Sequence, residues 1–369
     1  MFRIPLIKPH ITDEEINAVV EVLKTRYLTE GPVTREFEKT VAEYVGAKHA
    51  VSFTSNTTGM ETALRALGVG PGDEVIVPDY TYPATSSVVE IVGARTILVD
   101  IDPSTGNIDY DALEKAITPK TKVVLPVSIF GNPLDYSKLH DLKKRYGFYI
   151  LEDAACSIGA SFQGKKVGDG SLADISVFSF HPRKFITTGE GGMATTNDDA
   201  LAEFMRSYKN FGMGFNKDRN ARDFVRVGTN YKLSNVLAAI GLSQMKKIDD
   251  LLLQRKNVAE RYKSLLAGES VVQLTHVVSE GEHSWQSFVI LVPHRDQVLA
   301  RMREKGIEVQ IGTFALHLQP AYSHMQQGSL EHSRFWRESS LALPLYGSLS
   351  LEDQEFIVGC LKEILHDYN

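Results

Sequence analysis

Short apolar runs recur along the chain, each followed by a stretch with helical spacing. EVIVP (74–78), RTILVDID (95–102), TKVVLPVSI (121–129) and FYILEDA (148–154) predict buried strands. DYDALEKAI (109–117) and DYSKLHDLKKRYG (135–147) predict helices between them. Such alternation implies a mainly parallel sheet covered on both faces, an α/β/α sandwich. After Gly228 the pattern changes. A helical stretch from about Ser234 to Leu266 is expected to contain a break. Strands follow at Val271–Val277 and Ser284–Val292, then a helix Asp296–Lys305, a strand near Ile307–Ile311 and a terminal helix Leu351–Tyr368. These elements predict a large domain over residues 1–250 and a smaller C-terminal α+β domain over 251–369.

Composition changes this picture little. The chain has 369 residues, 43% hydrophobic and 23% charged, enough for one large core and a second smaller one. A net charge of −6 gives no general attraction to nucleic acid or to an anionic membrane. The two cysteines, Cys156 and Cys360, lie in segments that read as core; they make neither a disulfide framework nor a metal-ligand spacing, and a reducing cytoplasm fits. MFRIPLIKPHITDEE turns acidic too early for a signal peptide, and no apolar run approaches the roughly 20 residues that span a bilayer.

Two segments carry candidate chemistry. In FSFHPRKFITTGEGGM (178–193), Lys184 follows the apolar run Ile175–Phe180 and precedes Gly189, Gly191 and Gly192. Glycines let a backbone approach a flat ligand closely, and a desolvated lysine becomes a nucleophile towards a carbonyl. A surface lysine beside a turn is the plain alternative. FYILEDAACSIGA (148–160) delivers Glu152 and Asp153 at the end of a predicted strand, where functional carboxylates of α/β proteins sit. A pyridoxal phosphate (PLP) enzyme needs such a pair: a lysine for the cofactor aldehyde and an acid for the ring nitrogen. Asp153 also reads as a helix N-cap, and Glu152 as structural. GVGPGDE is the one run similar to a dinucleotide fingerprint, but it precedes a strand, which excludes a nicotinamide-binding reading.

With these segments the chain resembles the DegT/StrS-type family of PLP-dependent sugar aminotransferases, of fold-type I architecture. The matching segments run in family order: IPLIKPHITDEEINAVVEVL, YLTEGPVTREFE, LGVGPGDEVIVPDYTYPATSSVVEIVGARTILVDID, LEDAACSIGA, SFHPRKFITTGEGG, GTNYKLSNVLAAIGLSQM and FALHLQPAY. The resemblance implies a Schiff base through Lys184 and a ring-nitrogen contact from Asp153. It places Ser55, Asn56 and Thr57 on the cofactor phosphate, with Asn56 replacing the usual glycine, and Ser179 beside them. Tyr82 aligns with the aromatic that stacks on the ring; Tyr80, two residues before it, falls on the same side of an extended chain. Cys156 and Ser128 stand where members often have glutamine and histidine flanking the ring. Asn230 matches an asparagine that reaches the cofactor phosphate of the neighbouring subunit, which implies a homodimer with shared sites. His317 matches a histidine near the substrate entrance. Arg226, with Lys217, Arg219 and Arg222, belongs to a charged segment that reads either as solvated or as a diphosphate contact.

The reaction implied moves an amino group from an amino acid, L-glutamate, to a keto-sugar, most simply a keto-deoxysugar on a nucleotide diphosphate. A lysine at 184 argues against the family's dehydratase branch, which has histidine there. A cyclitol aminotransferase and a non-catalytic PLP-binding regulator remain as alternatives, since fold alone does not fix function.

Overall fold

The computed structural model describes residues 2–214, 223–325 and 328–368. Seven strands form the central sheet: β1 (His49–Phe53), β2 (Glu74–Pro78), β3 (Arg95–Val99), β4 (Thr121–Val124), β5 (Tyr149–Asp153), β6 (Ile175–Ser179) and β7 (Gly192–Thr196). Their order is β1-β7-β6-β5-β4-β2-β3. Neighbours from β6 to β3 pair in parallel, and β7 runs antiparallel to both β1 and β6.

Period-two alternation splits the strand residues between two cores. Val75, Val77, Val123, Leu151 and Val177 pack on one face with residues of the helices Asn56–Ala66, Ala84–Ile91 and Asp199–Tyr208. Ile76, Val124, Ile150 and Phe178 pack on the other with Pro32–Val45, Tyr110–Ala116, Tyr136–Tyr146 and Asn235–Met245. The expected sandwich is therefore present, and every predicted strand of the first half lies in its sheet.

The expected break falls at Lys246–Lys247, between the helices Asn235–Met245 and Ile248–Leu265. The second of these is shared. Ile248 and Leu251 join one sandwich core, whereas Val258, Ala259 and Tyr262 join a separate C-terminal core. That core lies on a second sheet, ordered Gln273–Leu274, Phe288–Leu291, Ser340–Leu343, Gln310–Ile311, with antiparallel pairing throughout. Ile4, from the chain start, packs into it.

The C-terminal strands are shorter than predicted. In Val271–Val277 only Gln273 and Leu274 pair, because His276 turns its amide to the Ser104 carbonyl and its own carbonyl to the Asn132 side chain. In Ser284–Val292, Trp285 adopts φ +53°, a left-handed conformation rare for a bulky residue, and the strand begins at Phe288. The helix Glu331–Ser339 and the strand Ser340–Leu343 were not anticipated.

One buried cation ties the N-terminal helices to the sheet. Lys209 is 2% exposed; its ammonium contacts Glu30 at 2.9 Å and Glu38 at 3.0 Å and donates to the Ser52 carbonyl at 3.0 Å. Burial raises the Glu38 carboxyl, but Lys209, Arg206 and the Ser52 amide and hydroxyl outweigh it and hold it below its ordinary value of 4.5. A carboxylate held low contributes stability that is complete above its unfolded value and is lost as pH falls through the folded one. Lys209→Ala should cost about 3–5 kcal/mol in urea unfolding at pH 7, since it leaves a buried carboxylate uncompensated. The difference between wild type and Glu38→Gln should shrink as the pH is lowered below 4.5.

Candidate active site

The candidate lysine lies in the loop Phe180–Gly191, which joins the antiparallel neighbours β6 and β7. The loop is closed by bonds from the Phe180 amide to the Gly191 carbonyl, 2.9 Å, and from the Thr188 amide to the Phe180 carbonyl, 3.0 Å. Gly189 sits at φ +86°, which favours glycine. Between these anchors Lys184 is half-buried and its ammonium donates to the Cys156 sulfur at 3.1 Å.

Asp153 ends β5, next to β6, so parallel pairing brings it to the same end of the sheet. Thr85 donates to its Oδ2 at 2.8 Å. The Asn56 amide and the Ala155 backbone N–H both donate to Oδ1 at 3.2 Å. No helix starts after it, so the N-cap reading does not apply. Burial pushes the Asp153 carboxyl up; Thr85, Ala155, the Lys184 ammonium and Asn56 pull the other way without cancelling it. Glu152 faces away, fully buried. Its carboxylate accepts from Tyr136 at 2.7 Å, from Ser176 at 2.8 Å and from Ser128, as expected of a structural group. That contact also turns Ser128 away from the cleft it was expected to border.

A cleft of about 570 Å³ brings the predicted residues together. Lys184, Asp153, Cys156 and Ser179 line it from the sheet side. Ser55, Asn56 and Thr57 line it at the start of the helix Asn56–Ala66. Ser55 caps that helix, accepting from the Thr58 amide at 3.1 Å. The amides of Asn56 and Thr57 find no protein partner among the described residues, so a helix N-terminus with two free N–H groups opens on the cleft. Asn56 is helical, not left-handed, and its side chain serves Asp153 and the Val177 carbonyl. Gly192 makes the fit close: a Cβ there would stand 2.4 Å from the Ser55 backbone.

Tyr82 lines the cleft and is 65% exposed, with its ring edge-on to Phe314 at 6.2 Å. Tyr80 is not on the same side. It is buried between Phe130 and Trp336, and its hydroxyl is within 2.7 Å of the Ser340 hydroxyl. Cys156, predicted as core, is half-buried at the cleft wall.

Three predicted residues lie elsewhere. His317 is buried away from the cleft lining, with Nδ1 2.6 Å from Asp79. Arg226 lies over the Phe204 ring at 4.6 Å. Asn230 is exposed on the surface and accepts from the Lys232 ammonium at 2.6 Å. Lys217, Arg219 and Arg222 fall outside the described residues. Sequence reading missed Thr85, although it lies in the quoted PDYTYPATSS and its bond fixes Asp153. It also missed His181 and Arg183, although both lie in the quoted FSFHPRKFITTGEGGM, and Gln286 and Gln310, which line the cleft without a motif of their own.

The comparisons with known proteins bear on this geometry. The family model described as DegT/DnrJ/EryC1/StrS aminotransferase matches residues 9–362. The chain belongs to this aminotransferase family. It is 38% identical over 98% of each chain to GDP-perosamine synthase of Caulobacter vibrioides. It is 33% identical, again over 98% of each, to UDP-4-amino-4-deoxy-L-arabinose–oxoglutarate aminotransferase of Shewanella sediminis. Among solved structures, a Streptococcus pneumoniae chain described as a sugar aminotransferase, in its PLP-form, superposes with a TM-score of 0.92 at 32% identity over 99% of both chains. Helicobacter pylori PseC, an aminotransferase involved in the biosynthesis of pseudoaminic acid, gives 0.93 at 28% over 99% of both. The protein is thus a sugar aminotransferase with the fold-type I architecture expected from its motifs.

The close approach of Gly192 to Ser55 makes a direct prediction. Gly192→Ala should push the start of the helix Asn56–Ala66 away from β7 and destabilise the protein by about 1–3 kcal/mol, read by urea unfolding. Gly70→Ala, outside the positive-φ region like Gly192 and at a position where a Cβ meets nothing within 4 Å, controls for the ordinary loss of a glycine.

Proposed function

We propose that this enzyme takes an amino group from L-glutamate and places it on a keto-deoxysugar carried by a nucleotide diphosphate, using pyridoxal 5'-phosphate bonded to Lys184, in the cytoplasm. The observation that carries the reading is one cleft holding the Lys184 amine, the buried Asp153 carboxylate and a helix start with free amides. The donor set suits the cofactor. The Asn56 and Thr57 amides, with the Ser55, Thr57 and Ser179 hydroxyls, would hold its phosphate. Tyr82 would lie against its ring, and a cationic ring nitrogen beside Asp153 would offset the desolvation that pushes that carboxyl up. When bound, pyridoxal phosphate supplies an electron sink for the carbon that loses or gains the amine.

The chain's own residues do the rest. Lys184 would hold the cofactor through its amine, and as a free amine it would take a proton from the substrate carbon as general base and return it as general acid. Cys156, the group that receives the Lys184 hydrogen bond, keeps the freed amine directed into the cleft. Thr85 and Asn56 hold Asp153 by one oxygen each, which fixes the carboxylate plane. The relatives named above act, by their names, on GDP- and UDP-linked sugars, and this supports a nucleotide-linked acceptor. His317, from its matching motif, and Arg226, from its charged segment, are the candidates for the sugar-nucleotide side, although neither lines the cleft of its own chain. Asn230, exposed and outside the lining of its own cleft, is assigned to the phosphate of a partner's cofactor in a homodimer.

Borohydride treatment of the loaded protein should fix the cofactor mass on the peptide containing Lys184, and an adduct on another lysine overturns the assignment. Asp153→Asn should retain pyridoxal phosphate yet lose turnover by several orders of magnitude, because a neutral amide does not hold the ring proton. A mass-spectrometric screen of keto-sugar nucleotides with glutamate tests the acceptor. Co-refolded Lys184→Ala and Asn230→Ala variants, shown to exchange subunits, should regain activity at about a quarter of all sites if the site is shared.

A further inference from the structure

Lys184 sits in a turn that belongs to no helix or strand, so the peptide groups on either side of it need partners from elsewhere. One side chain satisfies both. The Gln286 amide donates from Nε2 to the Arg183 carbonyl at 2.8 Å, and its Oε1 accepts from the Phe185 amide at 3.2 Å. Among the described residues neither group has another partner. A primary amide presents a donor and an acceptor in one plane at this spacing, which an ionised carboxylate does not. Gln286 is 6% exposed and lines the cleft, more than a hundred positions along the chain from the turn it clamps.

The clamp is itself held rigidly. Arg255, buried in the helix Ile248–Leu265, donates to the Trp285 carbonyl at 2.7 Å and to the Gln286 carbonyl at 2.6 Å. Burial pushes this guanidinium down to about 9, and among the described residues its charge is offset by these carbonyls and by the face of Phe185 at 5.7 Å. Trp285 keeps its left-handed backbone while its amide donates to the His283 Nδ1 at 2.8 Å and the two rings stack at 4.1 Å. That bond needs a neutral His283, and burial pushes His283 down to about 3. A residue strained in this way persists only where its surroundings over-determine it, and such residues cluster at functional sites.

We propose that Gln286 is a positioning residue for Lys184: by bridging both flanking peptide groups it fixes the direction in which the amine leaves the backbone. The inference rests on the reading of Lys184 as the cofactor-bonding lysine. Nucleophile placement errors of about 1 Å cost on the order of 10²-fold in rate.

The test uses full-length protein and two readouts other than turnover. Hydrogen exchange of the Phe185 amide should be roughly tenfold faster or more in Gln286→Ala, because its acceptor is gone. The rate at which pyridoxal 5'-phosphate bonds to Lys184 in the cofactor-free variant, followed by the visible absorbance band, should fall roughly 10- to 100-fold. Gln286→Glu keeps the acceptor and loses the donor to Arg183. It should protect the Phe185 amide nearly as well as wild type and slow bonding less, and it carries the test if the alanine variant does not fold. Unchanged exchange in the alanine variant overturns the clamp. Faster exchange with a wild-type bonding rate overturns the positioning role. Borohydride mapping of the wild type reports separately on Lys184, so an adduct elsewhere marks the failure of the functional reading and not of the clamp.

Discussion

The site depends on a carboxylate that the fold removes from water. Asp153 ends β5 at the middle of the sheet, where burial disfavours its charge. Two of its oxygens' partners come from separate helices, Thr85 from Ala84–Ile91 and Asn56 from the capped start of Asn56–Ala66. Both helices pack on the same face of the sheet through Met60, Val88 and their neighbours. Core packing thus decides where the hydrogen bonds to Asp153 point. Parallel pairing of β5 with β6 then brings the lysine-bearing loop to the same end. The polar geometry is a consequence of apolar registry.

The sheet and the two candidate residues that meet in the cleft were legible in the sequence because each lies where a strong local signal ends. Lys184 follows a continuous apolar run into glycines, and Asp153 closes another. The five parallel strands β2–β6 read well because they are buried on both faces and need no alternation, whereas β7 starts inside the glycine-rich turn and was not anticipated. The C-terminal half was less legible. Its strands pair over two to four residues, and their backbone groups are taken up by side chains such as Asn132 and Arg255 rather than by longer ladders. The helix Glu331–Ser339 contributes Trp336 to a core but has only one other apolar residue, the adjacent Phe335, so it shows no repeat of apolar positions to read.

Within the site, the residues that could not be read are those whose role is set by distant partners. Tyr80 and Tyr82 share an extended segment, yet Tyr80 is drawn into a slot between Phe130 and Trp336. Ser128 faces Glu152 instead of the cleft, a choice made by the depth of Glu152. Gln286 carries no motif, and its bonds to Arg183 and Phe185 exist only once the two halves of the chain are assembled. Thr85 was within reach, since a hydroxyl in PDYTYPATSS beside a buried acid is a natural donor.

The helix Ile248–Leu265 has one end in a sandwich core and the other in the C-terminal core, and Arg255 leaves it midway towards the Trp285 and Gln286 carbonyls. A rod rooted at both ends transmits force. Melting either core would fray a helix on which the other also depends, so loss of one body weakens the other. The same rod gives the cleft wall a stiff backing, so a change of substrate specificity is expected to come from exchanging side chains on it and not from letting the halves swing apart.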